Sequence, residues 1–159
     1  MLRDPRSGVS FALIQGGTTS ESESPEIESL GTLFYEPLWT FHRSELRGLG
    51  CRKISIGPDG SGTRALSLEL LKRSSIDVNN LALLGYSPLE ASEKLLSGEI
   101  DAVFMLHSWE SPVVHLLADD RVELASFPIT DAYVAHYPYL NKVVVPAGVA
   151  DLKQRPPMT

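Results

Sequence analysis

The chain has 159 residues, 43% of them hydrophobic, enough to bury one core or one core and part of a second. A formal charge of -6 argues against nucleic-acid and anionic-membrane partners, either of which would select a basic face, although a small anion needs only local positive potential. The lone Cys51 excludes an internal disulfide and a cysteine metal site, and no apolar run approaches the roughly 18–20 residues of a membrane span.

From the start, Met1 to Arg6 lacks the apolar core of a secretory signal. Val9 to Gln15 is apolar and stops at Gly16-Gly17, which predicts a buried parallel strand ending in a turn. Gln15 then stands at a strand carboxyl end, either as a ligand contact or as a side chain that satisfies loop backbone. Thr18 to Glu28 is polar and reads as a surface loop. Leu30 to Phe41 carries four aromatics around Pro37, so it reads as two extended pieces joined at Glu36-Pro37, with Tyr35 and Trp39 as hinge packing or cleft walls. Arg43 to Gly50 reads as a short helix or turn.

Lys53 to Arg64 (KISIGPDGSGTR) is the most informative stretch: a β-branched run, a glycine-rich turn, and Ser61 or Thr63 as cap of a helix from about Thr63 to Ser74. Leu66 and Leu70 with Ala65, Leu68 and Leu71 predict a broad buried face on that helix. Leu81 to Leu84 reads as a strand, Ser87-Pro88-Leu89-Glu90 as a capping box, and Gly98 as the stop of the helix it opens. Asp101 to Leu106 is another strand, Ser111-Pro112 starts a further helix, and Val122 to Phe127 is a fourth strand. Thr130-Asp131 caps a short helix ending before Pro138, and Lys142 to Val145 is a last extended run. Strands alternating with helices predict an α/β fold with a mostly parallel sheet.

The turn at Gly57 falls short of two nucleotide motifs. Gly57 and Gly62 stand five apart as in a phosphate loop, but Thr63 and Arg64 occupy the lysine and hydroxyl positions. Gly57, Gly60 and Gly62 also miss the dinucleotide spacing. What the residues retain is an anion site: backbone donors at a helix start, the hydroxyls of Ser61 and Thr63, and the Arg64 guanidinium. His42, His107, His115 and His136 are scattered without metal-ligand spacing, so no metal or cofactor is expected. Ser61 meets the nucleophile-elbow pattern only loosely, and no acid/base pair stands out, so the reading is not enzymatic. Trp109 follows a strand end, where it could cover a ligand or pack.

Taken in order, Phe11 to Gly17, Leu33 to Leu38, Ile56 to Thr63, Gly98 to Ala102, Tyr137-Pro138 and Val145 to Gly148 resemble the TAXI-type solute receptors of TRAP transporters over roughly residues 8 to 150. The resemblance implies a type II periplasmic-binding-protein-like α/β lobe with crossover hinge segments, in a fragment centred on the second lobe. It divides the chain into the end of a first lobe and crossover (1–43), a second lobe (44–129) and a return segment (130–159). It implies a small anionic or zwitterionic solute such as a dicarboxylate or amino acid, TRAP membrane subunits as partners, and a periplasmic or extracytoplasmic location. Carried over by position, Ser61, Gly62 and Thr63 match its helix-start ligand contacts and Gln15 matches the end of its first-lobe strand; chemistry adds Tyr35, Arg64 and Trp109. A lobe lacking its counterpart would expose apolar surface able to drive self-association. The alternative on the same fold is an intracellular effector-sensing domain of a regulator.

Overall fold

The computed structural model describes residues 5–19, 21–46, 50–73, 78–109, 111–127 and 129–146. The expectations at Gly48-Leu49, Ser74, Ala147-Gly148 and the two extreme ends lie outside these residues. The chain falls into two units: Met1–Tyr35 with Ile129–Lys142, and Glu36–Pro128 with Val143–Thr159.

The second unit holds a five-stranded sheet. Its strands are β1 (Leu38–Arg43), β2 (Lys53–Ser55), β3 (Ala82–Leu84), β4 (Ala102–Leu106) and β5 (Val122–Leu124), in the order β3-β2-β4-β1-β5. The helices α1 (Gly62–Arg73), α2 (Pro88–Ser97) and α3 (Ser111–Leu117) alternate with the strands, the expected α/β pattern. β2 runs parallel to β3 and β4, whereas β1 runs antiparallel to both β4 and β5. Four of the five strands therefore point the same way, the mostly parallel sheet that the alternation predicts, and β1 alone runs against them. A helical crossover delivers β5 parallel to β4 but one position away, and β1, which reaches the sheet without a crossover helix, fills the gap in the opposite sense.

β4 is the centre, with all five residues buried. Alternation sends Val103 and Met105 to one face and Ala102 and Phe104 to the other. On the first face Trp39 and Phe41 join Ala91 and Leu95 of α2 and Val113 and Leu116 of α3. On the second, Ile54 and Ile56 pack with Leu71 of α1. Helix α1 buries Leu66, Ser67, Leu70 and Leu71, while Ala65, expected in the buried face, is exposed. Thr63 explains the rotation: its hydroxyl is tied to β4, which turns the stripe continuing from Thr63 toward the sheet and Ala65 away. Helix α2 is capped as its sequence predicts, with Ser87 Oγ accepting the Glu90 N–H at 3.4 Å and Gly98 closing it at φ 80°.

Three expected extended runs differ. Val9 to Gln15 forms no strand, and Phe11 and Leu13 are each 77% exposed. Leu30 to Pro37 is likewise irregular, and regular structure begins only after the proline, at Leu38. Lys142 to Val145 is irregular too, with Val143 and Val144 exposed. Apolar composition favours a strand only where a neighbour takes up its backbone hydrogen bonds, and these segments have no ladder partner among the described residues. Strand β5 stops at Leu124, short of Phe127.

The first unit holds one α-helix among its described residues, α4 (Thr130–His136). Its cap position is Ile129 rather than Thr130, and the Ile129 carbonyl accepts the N–H groups of Ala132 and Tyr133. Gly17, at φ 80°, lies so close under the Tyr139 ring that a β-carbon there would collide with it.

Candidate functional site

The strand ends of β2, β3 and β4 meet at one turn. At the exit of β2, Gly57 takes φ 85°, and a β-carbon there would stand 2.8 Å from both Ser61 Oγ and Thr63 Cβ. Glycine is required twice over, by backbone conformation and by space. The turn closes as the Ser61 N–H and hydroxyl both donate to the Pro58 carbonyl, at 3.2 and 2.8 Å. Ser61 Oγ in turn accepts the Arg64 N–H at 3.1 Å, so Ser61, not Thr63, caps α1. Among the described residues, the N–H groups of Gly62 and Thr63 have no acceptor, as the first turn of a helix leaves them.

Thr63 has a different task. It is buried, and its Oγ1 accepts the Leu106 N–H at 3.1 Å, pinning the helix start to the last residue of β4. From β3, the Leu84 carbonyl accepts the Ile56 N–H at 2.9 Å. The next residue, Gly85, lies so close that a β-carbon on it would be 3.4 Å from the Gly57 carbonyl oxygen. Gly85 and the Leu106 N–H escaped the sequence reading, although a glycine between a strand and a capping box is a visible signal.

Arg64 is engaged within the same turn. Its Nε lies 2.9 Å from Asp59 Oδ1, and its Nη1 donates to the Gly57 carbonyl at 3.4 Å. The Asp59 side chain is almost fully exposed, so this pair is solvent-screened and weak. The turn thus presents two unpaired N–H groups beside a guanidinium that shares its charge with a displaceable carboxylate.

Trp109 stands past the end of β4, three residues beyond Leu106 and so within about 11 Å of it along the chain. It is 42% exposed and its ring lies 5.8 Å from that of buried Trp39. Ser61, Gly62, Thr63 and Arg64 are thus brought together, with Trp109 at the same end of the sheet. Gln15 and Tyr35 belong to the other unit: the Gln15 carbonyl accepts from the Thr18 N–H and hydroxyl at 3.3 and 2.7 Å, and Tyr35 is exposed. Among the described residues no group of three His, Cys, Asp or Glu side chains is placed to hold a metal.

A family model described as the NMT1-like family matches residues 39–158. The chain belongs to the NMT1-like family. The NMT1-like region contains the whole sheet from Trp39 onward, the Gly57 to Arg64 turn and Trp109, whereas Gln15 and Tyr35 precede it. Among solved structures, the chain is similar to the periplasmic aliphatic sulphonate binding protein SsuA from Escherichia coli, at 16% identity and a TM-score of 0.44. That likeness covers 55% of this chain and 30% of the other, so the chain spans under a third of that solved relative. No curated protein matches the sequence.

Proposed function

We propose that this NMT1-like chain is the ligand-bearing lobe of an extracytoplasmic receptor for a small carboxylate-bearing solute, which it delivers to the membrane subunits of a TRAP-type transporter. The observation that carries the reading is the convergence of three parallel strand ends on a helix start with two unpaired N–H groups, since open α/β sheets bind ligands at such carboxyl ends. The carboxylate sits at the first turn of α1 and receives the N–H groups of Gly62 and Thr63, with Ser61 beside it. Arg64 adds charge as the solute displaces the exposed Asp59, and Trp109 supplies an apolar wall. The resemblance to TAXI-type receptors supports the transporter partner and the location.

Thermal denaturation of the intact protein with succinate or L-glutamate tests the reading. At about 100 times Kd a bound ligand raises Tm by roughly 5–10 °C for a chain of this size. Arg64→Ala should shrink that shift while leaving the unliganded Tm nearly unchanged, because its ion-pair partner Asp59 is almost fully exposed and the pair is solvent-screened. A Tm unmoved by any dicarboxylate or amino acid would speak against a carboxylate receptor.

A further inference from the structure

The segment that carries Trp109 is held by a buried residue of the core. Trp39, on β1, is only 4% exposed and stands opposite Met105 in the ladder with β4. Its indole N–H donates to the His107 carbonyl at 2.8 Å, and its ring packs at 57° against Trp109 with centroids 5.8 Å apart. The other face of the segment's start is tied as well, since the His107 N–H donates to the Pro37 carbonyl at 3.3 Å. A core tryptophan needs only one acceptor for its N–H. Here the acceptor is the first residue after the strand, and the ring contact is to a tryptophan left 42% exposed.

We infer that Trp39 is a positioning residue for solute binding: it fixes the chain past β4 so that Trp109 stands as a rigid wall before any solute arrives. This rests on the solute-binding reading above. A wall immobilised in advance spares the solute the ordering cost of a large side chain, which corresponds to about 3- to 10-fold in affinity. Trp39 touches no solute itself. Its effect passes through the indole hydrogen bond and the ring contact alone.

The chain contains two tryptophans, so 5-fluorotryptophan labelling gives one fluorine resonance for each. In Trp39→Phe the remaining Trp109 resonance should move toward the position of free fluorotryptophan, and affinity for succinate or L-glutamate should fall about 3- to 10-fold. Leu95→Ala, which removes another buried member of the same core, should lower Tm yet leave both the Trp109 resonance and the affinity in place. Trp109→Ala removes the wall itself, together with its ring contact to Trp39, and should weaken binding at least as much as Trp39→Phe. An unmoved Trp109 resonance in Trp39→Phe overturns the inference, as does unchanged affinity in Trp109→Ala, whether or not the Trp39 variant folds. If no dicarboxylate or amino acid binds the wild-type protein, the receptor reading fails and the solute half of the inference with it, while the fluorine spectra still decide whether Trp39 places Trp109.

Discussion

Thr63 Oγ1 accepts the Leu106 N–H at 3.1 Å, a buried hydrogen bond between residues 43 apart in sequence that locks the start of α1 to the end of β4. Removing the acceptor while keeping the shape isolates its worth. Thr63→Val leaves the Leu106 N–H buried and unpaired and should destabilise the fold by about 1–3 kcal/mol in urea denaturation. Thr63→Ser keeps the acceptor and loses one methyl, so it should cost only about 0.8 kcal/mol. A loss in Thr63→Val no larger than that in Thr63→Ser would show that the hydrogen bond contributes no more than one methyl group.

Two glycines of the same turn separate backbone strain from crowding. Gly60 has φ 77° with nothing within 4 Å of an added β-carbon, whereas Gly57 has φ 85° and a β-carbon there meets Ser61 and Thr63 at 2.8 Å. Gly60→Ala should cost the left-handed penalty alone, roughly 1–2 kcal/mol. Gly57→Ala should cost clearly more, and it should also disturb the Ser61 cap. The two midpoints of chemical denaturation, measured side by side, decide this.

Acid stability should depend on Asp119. Its carboxylate receives Nε and Nη2 of Arg121 at 2.9 and 2.7 Å, and these bonds hold its pKa below the ordinary value against the smaller opposing effect of burial. Folding therefore lowers proton affinity here. The stabilisation is complete above the usual aspartate pKa of about 4 and is lost as pH falls through the lower folded value. Asp119→Asn should be less stable than wild type at pH 7, and the gap should close as pH drops below about 4. Tm measured from pH 7 down to pH 2 provides the check.

Cys51 should be a reluctant nucleophile in the native protein. Burial raises its pKa first and nearby Asp101 adds to this, with Arg43 opposing. Since the thiolate is the reactive form, alkylation by iodoacetamide should set in at higher pH in the folded protein than in urea. Coincident pH profiles for the two states would contradict it.

Local chemistry is legible at α2 and β4, where each signal and its consequence lie within a few residues. Ser87-Pro88 and Gly98 bracket α2 as their types require, and the buried run Ala102 to Leu106 is a central strand. Pro37 likewise marks where β1 can begin, one residue later. The turn from Gly57 to Ser61 was legible as a helix start, but whether Ser61 or Thr63 caps it was not, because both are good capping types. A contact 43 residues away settled that: Thr63 is committed to Leu106, and Ser61 takes the Arg64 N–H.

By itself the sequence determined the α/β alternation, the two caps of α2 and the glycine turn, since these follow from the backbone preferences of single residues and their near neighbours. Tertiary structure alone decided which apolar runs become strands and which way they point. Val9 to Gln15 is the more apolar of the two in composition, yet only Leu38 to Arg43 finds two ladder partners, β4 and β5. A strand's hydrogen bonds belong to its neighbours, so its existence depends on residues far along the chain. For the same reason the opposite task of two tryptophans, Trp39 buried as a support and Trp109 left facing solvent, became visible only once the strand ends were side by side.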